Sequence, residues 1–171
     1  MEYPIEFKLA TYTLRVYEDL TVTKKQVTKK YGERWIPIKF YKLSLFDKYN
    51  NETNYYRFSL TIDGKQIPIK RHRLIYYAHN QDWDIFDSRR DNSIDHIHGT
   101  NAGDYIHNLR VVTQQQNQFN QQNAKGYYWD KKKKNFKAQI CINGKRIAIC
   151  CNSEEEAIET RKQLKLKYHI I

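Results

Sequence analysis

Cysteine, glycine and proline are scarce in this chain of 171 residues, which contains three Cys, six Gly and three Pro. Cys141, Cys150 and Cys151 lie close together near the C-terminus, and they form no repeated C-x-x-C pair. An odd number of cysteines without paired spacing argues against a disulfide framework and against a zinc site of the cysteine type. We therefore expect a reduced, intracellular setting.

Long apolar runs are also lacking. No stretch approaches the roughly 20 apolar residues that a membrane-spanning helix needs. The first ten residues contain two Glu and no apolar run typical of a secretory signal. The sequence thus predicts no membrane partner, and its length suits one compact domain or a small domain with an appendage.

Positive charge is abundant. The chain has 30 Lys and Arg against 19 Asp and Glu, a formal net charge of +11. Residues 125–171 hold 12 basic and 5 acidic side chains, a net +7, whereas residues 1–124 hold 18 and 14, a net +4. Such an excess attracts polyanions, and nucleic acid is the expected partner. An acidic membrane surface is the alternative, but no basic amphipathic helix dominates the sequence.

Residue patterns predict a mixed α+β fold. Short strands are expected at 15–17 and 35–38. Residues 56–62 and 65–69 alternate around Asp63-Gly64, which indicates a β-hairpin, and a short helix is expected at 71–79. Thr113 and Gln116 form a T-x-x-Q capping box, so a helix is predicted over residues 113–123.

Similar residue patterns predict the structure of the C-terminal part. Strands are predicted at 127–129, 136–142 and 145–149, with Asn143-Gly144 as the second turn. Ser153 and Glu156 form a second capping box at the start of a helix from Glu154. The apolar stripe expected along that helix comprises Ala157, Ile158, Arg161, Leu164 and Tyr168.

One stretch concentrates residues suited to phosphodiester hydrolysis. Asp95 and His96 are adjacent, and Asn108 and Asn117 follow. Hydrolysis needs a base to deprotonate water and a cation to stabilise developing charge. Imidazole suits the first task near neutral pH, and carboxylate and amide oxygens are suitable Mg²⁺ ligands. The stretch therefore predicts one base and one cation site.

Asp95-His96, the segment Asn108-Leu109-Arg110-Val111-Val112-Thr113 and Asn117 together resemble the HNH motif of phage and intron homing endonucleases. The resemblance implies a ββα-metal (His-Me finger) nuclease core that leaves 5′-phosphate and 3′-hydroxyl ends. It implies Asp95 and Asn117 as ligands of Mg²⁺, or of another divalent cation such as Mn²⁺. His96 would be the general base and Asn108 the residue that holds the motif loop. Arg110 is a candidate contact to the scissile phosphate.

The C-terminal part resembles the APETALA2-type DNA-binding domain, a three-stranded sheet plus a helix. The likeness rests on 125–128, 136–140, 143–146 and 153–157, although Cys150-Cys151 stands where a glycine usually follows the third strand. The domains expected are thus 1–123, the nuclease, and 124–171, the DNA-binding module. The residues expected to face double-stranded DNA are Lys125, Tyr128, Lys137, Gln139, Cys141 and Arg146.

These resemblances predict a metal-dependent DNA endonuclease of the homing type that hydrolyses phosphodiester bonds at a recognised site, and the complete set of motif residues favours this interpretation. A restriction endonuclease that acts as a dimer is an alternative, as is a catalytically silent DNA-binding regulator; an RNA-binding protein is a weaker one. The sequence leaves monomer or homodimer open. The expected location is the cytoplasm or nucleus of a host cell, with a virus, phage or mobile element as one source of the gene.

Overall fold

The computed structural model of the chain describes residues 2–43, 54–89, 91–119 and 125–168. The chain forms two compact units: Met1–Ser88 with Ile94–Val111, and Arg89–Ser93 with Val112–Ile171. The fold is mixed α+β, with small sheets and short helices, as the sequence predicts. The expected division into nuclease and DNA-binding domains after residue 123 stays a prediction. In the described ranges, no helix is both long and apolar enough to cross a membrane.

The first unit begins with a four-stranded sheet in which each strand pairs with the next. Its strands are β1 (Ile5–Leu9), β2 (Tyr12–Val16), β3 (Val22–Thr28) and β4 (Gly32–Pro37). The strands predicted around residues 15–17 and 35–38 therefore exist as β2 and β4, with shifted bounds. Leu14 and Val16 of β2 are fully buried, because alternate residues of this strand face the core.

A second sheet contains β5 (Tyr41–Lys42), β6 (Tyr56–Ile62) and β7 (Lys65–Lys70), and helix α1 (Arg71–His79) follows directly. Asp63 and Gly64 both have positive φ, 49° and 74°, as a two-residue type I′ turn requires. The predicted hairpin and helix are confirmed. Leu74, Ile75 and Ala78 of α1 are buried in the same core cluster as Phe58 and the other inward-facing residues of this unit.

The segment with the HNH-like residues forms strand β8 (Ser93–His96) and, after two 3-10 turns, strand β9 (Leu109–Val112), which pairs with β8. Helix α2 (Gln114–Phe119) comes next. Thr113 caps it as predicted: its backbone N–H donates to Gln116 Oε1 at 2.9 Å, and the Gln116 N–H donates to Thr113 Oγ1 at 3.2 Å. The rest of the predicted helix, residues 120–123, lies outside the described residues.

The second unit contains the predicted three-stranded sheet, formed by β10 (Tyr127–Asp130), β11 (Asn135–Ile142) and β12 (Lys145–Cys151). Asn143 and Gly144 have φ values of 49° and 75°, again the geometry of a type I′ turn. Helix α3 (Glu154–Tyr168) packs on this sheet. Ser153 Oγ accepts a hydrogen bond from the Glu156 N–H at 3.1 Å, whereas the Glu156 carboxylate accepts from Asn152, one residue earlier than a capping box predicts.

The predicted apolar stripe of α3 is right except at Ile158. Ala157 and Leu164 are buried with Ala138 and Ile140 of β11, whereas Ile158 is 37% exposed. One residue along a helix turns by about 100°. The face of α3 that contacts the small sheet is narrower than the predicted stripe, so the Ile158 side chain points away from the sheet.

Leu164→Ala should lower the free energy of unfolding by about 2–5 kcal/mol, because it removes methyl groups from a packed core. The matched control is Leu166→Ala on the same helix, where the side chain is 76% exposed. Denaturant unfolding followed by circular dichroism should show a shifted midpoint for the first variant alone. Equal shifts for the two variants would contradict the packing of α3.

Candidate active site

Asp95 and His96 end strand β8, as predicted, and their side chains are buried, with exposures of 5% and 3%. Strand β8 also carries Ile94, which belongs to the apolar core of the first unit. The two polar residues therefore lie at the edge of a packed core. Buried polar groups need hydrogen-bond partners, and those partners define the site.

Asn108 braces the loop that joins the two strands. Its side chain is fully buried. Its Oδ1 accepts a hydrogen bond from the backbone N–H of His98 at 2.8 Å, and its Nδ2 donates to the carbonyl oxygens of Gly99 at 3.1 Å and Gly103 at 2.8 Å. The backbone N–H of Ile97 also donates to the Asn108 carbonyl at 2.9 Å. Asn108 thus has the contacts expected of a residue that holds the motif loop.

His96 forms a hydrogen bond with an acidic residue in that loop. His96 Nε2 lies 2.7 Å from Asp104 Oδ1, and Arg71 Nε donates to Asp104 Oδ2, also at 2.7 Å. The Asp104 side chain is only 2% exposed. Burial would raise the pKa of Asp104, but the hydrogen bonds from His96 and Arg71 outweigh it and hold that pKa below its usual value. Asp104 is therefore an ionised carboxylate held between two donors.

His72 of α1 completes a buried cluster. Its ring lies 5.1 Å from the His96 ring, centroid to centroid, and the Tyr55 ring packs edge-on against both imidazoles, at 5.5 and 5.7 Å. Burial, with His96 nearby, lowers the pKa of His72 to about 3, so its imidazole is neutral at ordinary pH. Its Nδ1 atom has no hydrogen-bond partner within the described part of the chain.

The donor atoms of His72, His96 and Asp104 all lie within 4.8 Å of one another, so the three residues could hold a metal ion. Two imidazole nitrogens and one carboxylate oxygen suit Zn²⁺ or a similar transition ion, whereas Mg²⁺ prefers oxygen ligands. His72, Arg71 and Asp104 are not among the site residues predicted from the sequence. The signal that could have identified Asp104 is an acidic residue within the loop between the two motif strands.

The predicted metal ligand Asp95 forms an ion pair with Arg110, the predicted phosphate contact. Arg110 Nε and Nη2 both lie close to Asp95 Oδ2, at 3.1 and 2.9 Å. The structure therefore brings together Asp95, His96, Asn108 and Arg110 in the first unit. Asn117, the other predicted ligand, lies on α2, which belongs to the second unit.

The residues predicted to face DNA lie on or next to the sheet of the second unit. Ala138 and Ile140 are buried against α3, so Lys137, Gln139 and Cys141 occupy the opposite face of β11, as expected. In register, Tyr128 lies opposite Lys137, and Arg146 lies opposite Cys141. Lys125 is exposed just before β10. The Lys137 ammonium is 2.5 Å from Asp130 Oδ2, so this cation is partly neutralised, whereas Arg146 is exposed.

Comparisons with known proteins add no family: no protein-family model, no curated protein and no solved structure matches this chain.

We expect the buried His72 to make the first unit sensitive to acid. Its pKa is about 3 in the folded protein and near 6.5 in an unfolded chain. Between these values the unfolded chain binds more protons, so the free energy of unfolding falls as the pH falls, by up to about 1.4 kcal/mol per pH unit. His72→Phe keeps an aromatic ring and removes the titration.

The measurement is denaturant unfolding at pH 7 and pH 5, with His107→Gln, at an exposed position, as the matched control. The difference between the two pH values should shrink in His72→Phe and persist in His107→Gln. A wild-type difference that His72→Phe leaves unchanged would contradict the neutral, buried state of His72.

Proposed function

We propose that the chain is a metal-dependent DNA endonuclease of the HNH type, in which His96 is the general base. The observation that carries this proposal is the 2.7 Å hydrogen bond between the buried side chains of His96 and Asp104. It supports a base of fixed orientation, in a loop that Asn108 braces through three hydrogen bonds. Such pre-organisation is what proton transfer in a hydrolytic site requires.

Asp104 fixes the tautomer of His96. Because the carboxylate is ionised, the proton of the hydrogen bond belongs to His96 Nε2, and in the neutral imidazole Nδ1 carries the lone pair. Nδ1, a buried atom in this structure, is therefore the atom that would take a proton from a water molecule that enters the site. Arg71 keeps Asp104 oriented and neutralises part of its charge through the 2.7 Å contact. Asp104 and Arg71 are positioning residues in this scheme.

The proposed ligands of the divalent cation are those of the sequence motif, Asp95 and Asn117. Their carboxylate and amide oxygens fit Mg²⁺ or Mn²⁺ by donor chemistry. When bound, such an ion would stabilise charge on the phosphate and on the leaving oxygen. The His72–His96–Asp104 cluster fits a different class of ion, so the two sites can be separated by experiment.

Asp95→Ala should alter the Mg²⁺ dependence of cleavage, whereas His72→Phe should leave that dependence unchanged.

The second unit would contribute to DNA affinity. Its sheet presents Tyr128, Gln139 and Arg146 on the face opposite the helix, and residues 125–171 carry a net charge of +7. Lys and Arg that neutralise phosphates supply most of non-specific DNA affinity. Double-stranded DNA is the proposed partner on these grounds.

The first test is relaxation of a supercoiled plasmid with Mg²⁺ and with EDTA. His96→Ala should reduce the cleavage rate by about 10²–10⁴-fold, the usual contribution of a general base, and DNA binding should persist. His107→Gln, at an exposed histidine of the same loop, should cleave like the wild type. Cleavage by His96→Ala at the wild-type rate, or cleavage that resists EDTA, would remove His96 or the metal from the mechanism.

The second test concerns Asp104. Asp104→Asn preserves the shape of the side chain but replaces the carboxylate, so the preferred tautomer of His96 is lost; we expect the cleavage rate to fall by about 10²-fold or more. The Mg²⁺ concentration for half-maximal rate should stay unchanged, because Asp104 is not a proposed ligand. Asp82→Asn, at an exposed position, is the control. A shifted Mg²⁺ titration with an unchanged maximal rate would assign Asp104 to metal binding.

A further inference from the structure

Strands β3 and β4 extend beyond the rest of their sheet. Strand β2 pairs with β3 only over Val22–Lys24, whereas β3 and β4 remain paired from Thr23 and Pro37 to Thr28 and Gly32. In the described sheet, residues 25–35 thus form a two-stranded ribbon without a third strand. At about 3.4 Å per residue, the ribbon extends roughly 10 Å from Lys25 to Thr28, plus its turn.

The hairpin formed by β3 and β4 is strongly basic. Residues 22–37 contain five Lys and Arg and one Glu, a net charge of +4. Residues 1–124 contain 18 Lys and Arg and 14 Asp and Glu, which is also +4. Outside the hairpin, these 124 residues therefore carry 13 charges of each sign. The hairpin is therefore one of two strongly basic segments of this region, the other being residues 65–79 of β7 and α1, which contain four Lys and Arg and no acidic residue.

The ribbon presents its cations at the tip. Lys29, Lys30 and Tyr31 are exposed, and the Tyr31 side chain is 59% accessible. Lys30 Nζ lies 5.0 Å and Arg34 Cζ lies 5.2 Å from the centre of the Tyr31 ring, so an aromatic side chain holds two cations near one another. Lys25 differs, because it forms an ion pair with Glu33 at 2.7 Å.

We propose that the ribbon of residues 25–35 is a second DNA-binding element that enters the major groove of a duplex, with Lys29, Lys30 and Arg34 against phosphates. The major groove of B-DNA is wide enough to admit a two-stranded ribbon. Charge complementarity identifies the partner as a polyanion, and the shape favours a duplex. This inference rests on the proposed endonuclease function, and it assigns part of the DNA contact to the first unit.

The test measures binding separately from cleavage. Fluorescence anisotropy of a labelled DNA duplex, in EDTA and over a range of salt concentrations, gives the slope of log K against log salt. Each phosphate contact contributes about 0.9 to that slope. Lys29→Gln with Lys30→Gln should reduce the slope by about 2 and weaken binding roughly tenfold or more at 0.1 M salt. The matched control removes two exposed cations elsewhere in the unit, Lys8→Gln with Lys65→Gln, and should keep the wild-type slope.

The failures of the two proposals are distinguishable. A wild-type protein that does not bind the duplex overturns the proposed function and the ribbon together. A wild-type protein that binds, with an unchanged slope in the Lys29/Lys30 variant, overturns the ribbon alone, as does an equal reduction in the control. The same measurement is made with an RNA duplex, because its major groove is deep and narrow. If the Lys29/Lys30 variant loses binding affinity equally on DNA and on RNA, entry into the major groove is overturned.

Discussion

The hydrogen bond between His96 and Asp104 is the contact on which the site depends. It joins two buried groups that are eight residues apart, and one of them carries a full negative charge. A buried carboxylate is strongly destabilising without partners. Arg71 supplies the compensating charge from the start of α1, so the helix, the strand and the loop are tied together through one carboxylate.

This constraint explains why the loop between β8 and β9 is organised by polar contacts. Asn108 is fully buried, and its three side-chain hydrogen bonds go to backbone groups of the loop itself. These hydrogen bonds hold the loop backbone in place. A fixed backbone keeps Asp104 within hydrogen-bond distance of His96, which is the geometry that the proposed proton transfer needs.

Local features of this fold could be predicted from the sequence, whereas the contacts of the site could not. Both type I′ turns follow from Asp-Gly and Asn-Gly between alternating residues, and the bounds of α1 agree with prediction, because a few neighbouring residues determine them. The pair Arg71–Asp104 spans 33 residues, and no periodicity marks it. The exposure of Ile158 could not be predicted either, because it depends on how narrow a surface the small sheet offers to α3.

The charges of the first unit indicate how catalysis and affinity could be divided within it. Asp104 is paired with Arg71, and Asp95 with Arg110, so each of these carboxylates has an arginine partner. A site of this kind has little surplus positive charge to attract a phosphate backbone. Long-range attraction depends on the net charge of a surface and not on paired ions. In the proposed function, affinity for DNA would then come from basic elements outside the buried cluster, and the exposed Lys29, Lys30 and Arg34 of the hairpin of β3 and β4 form such an element.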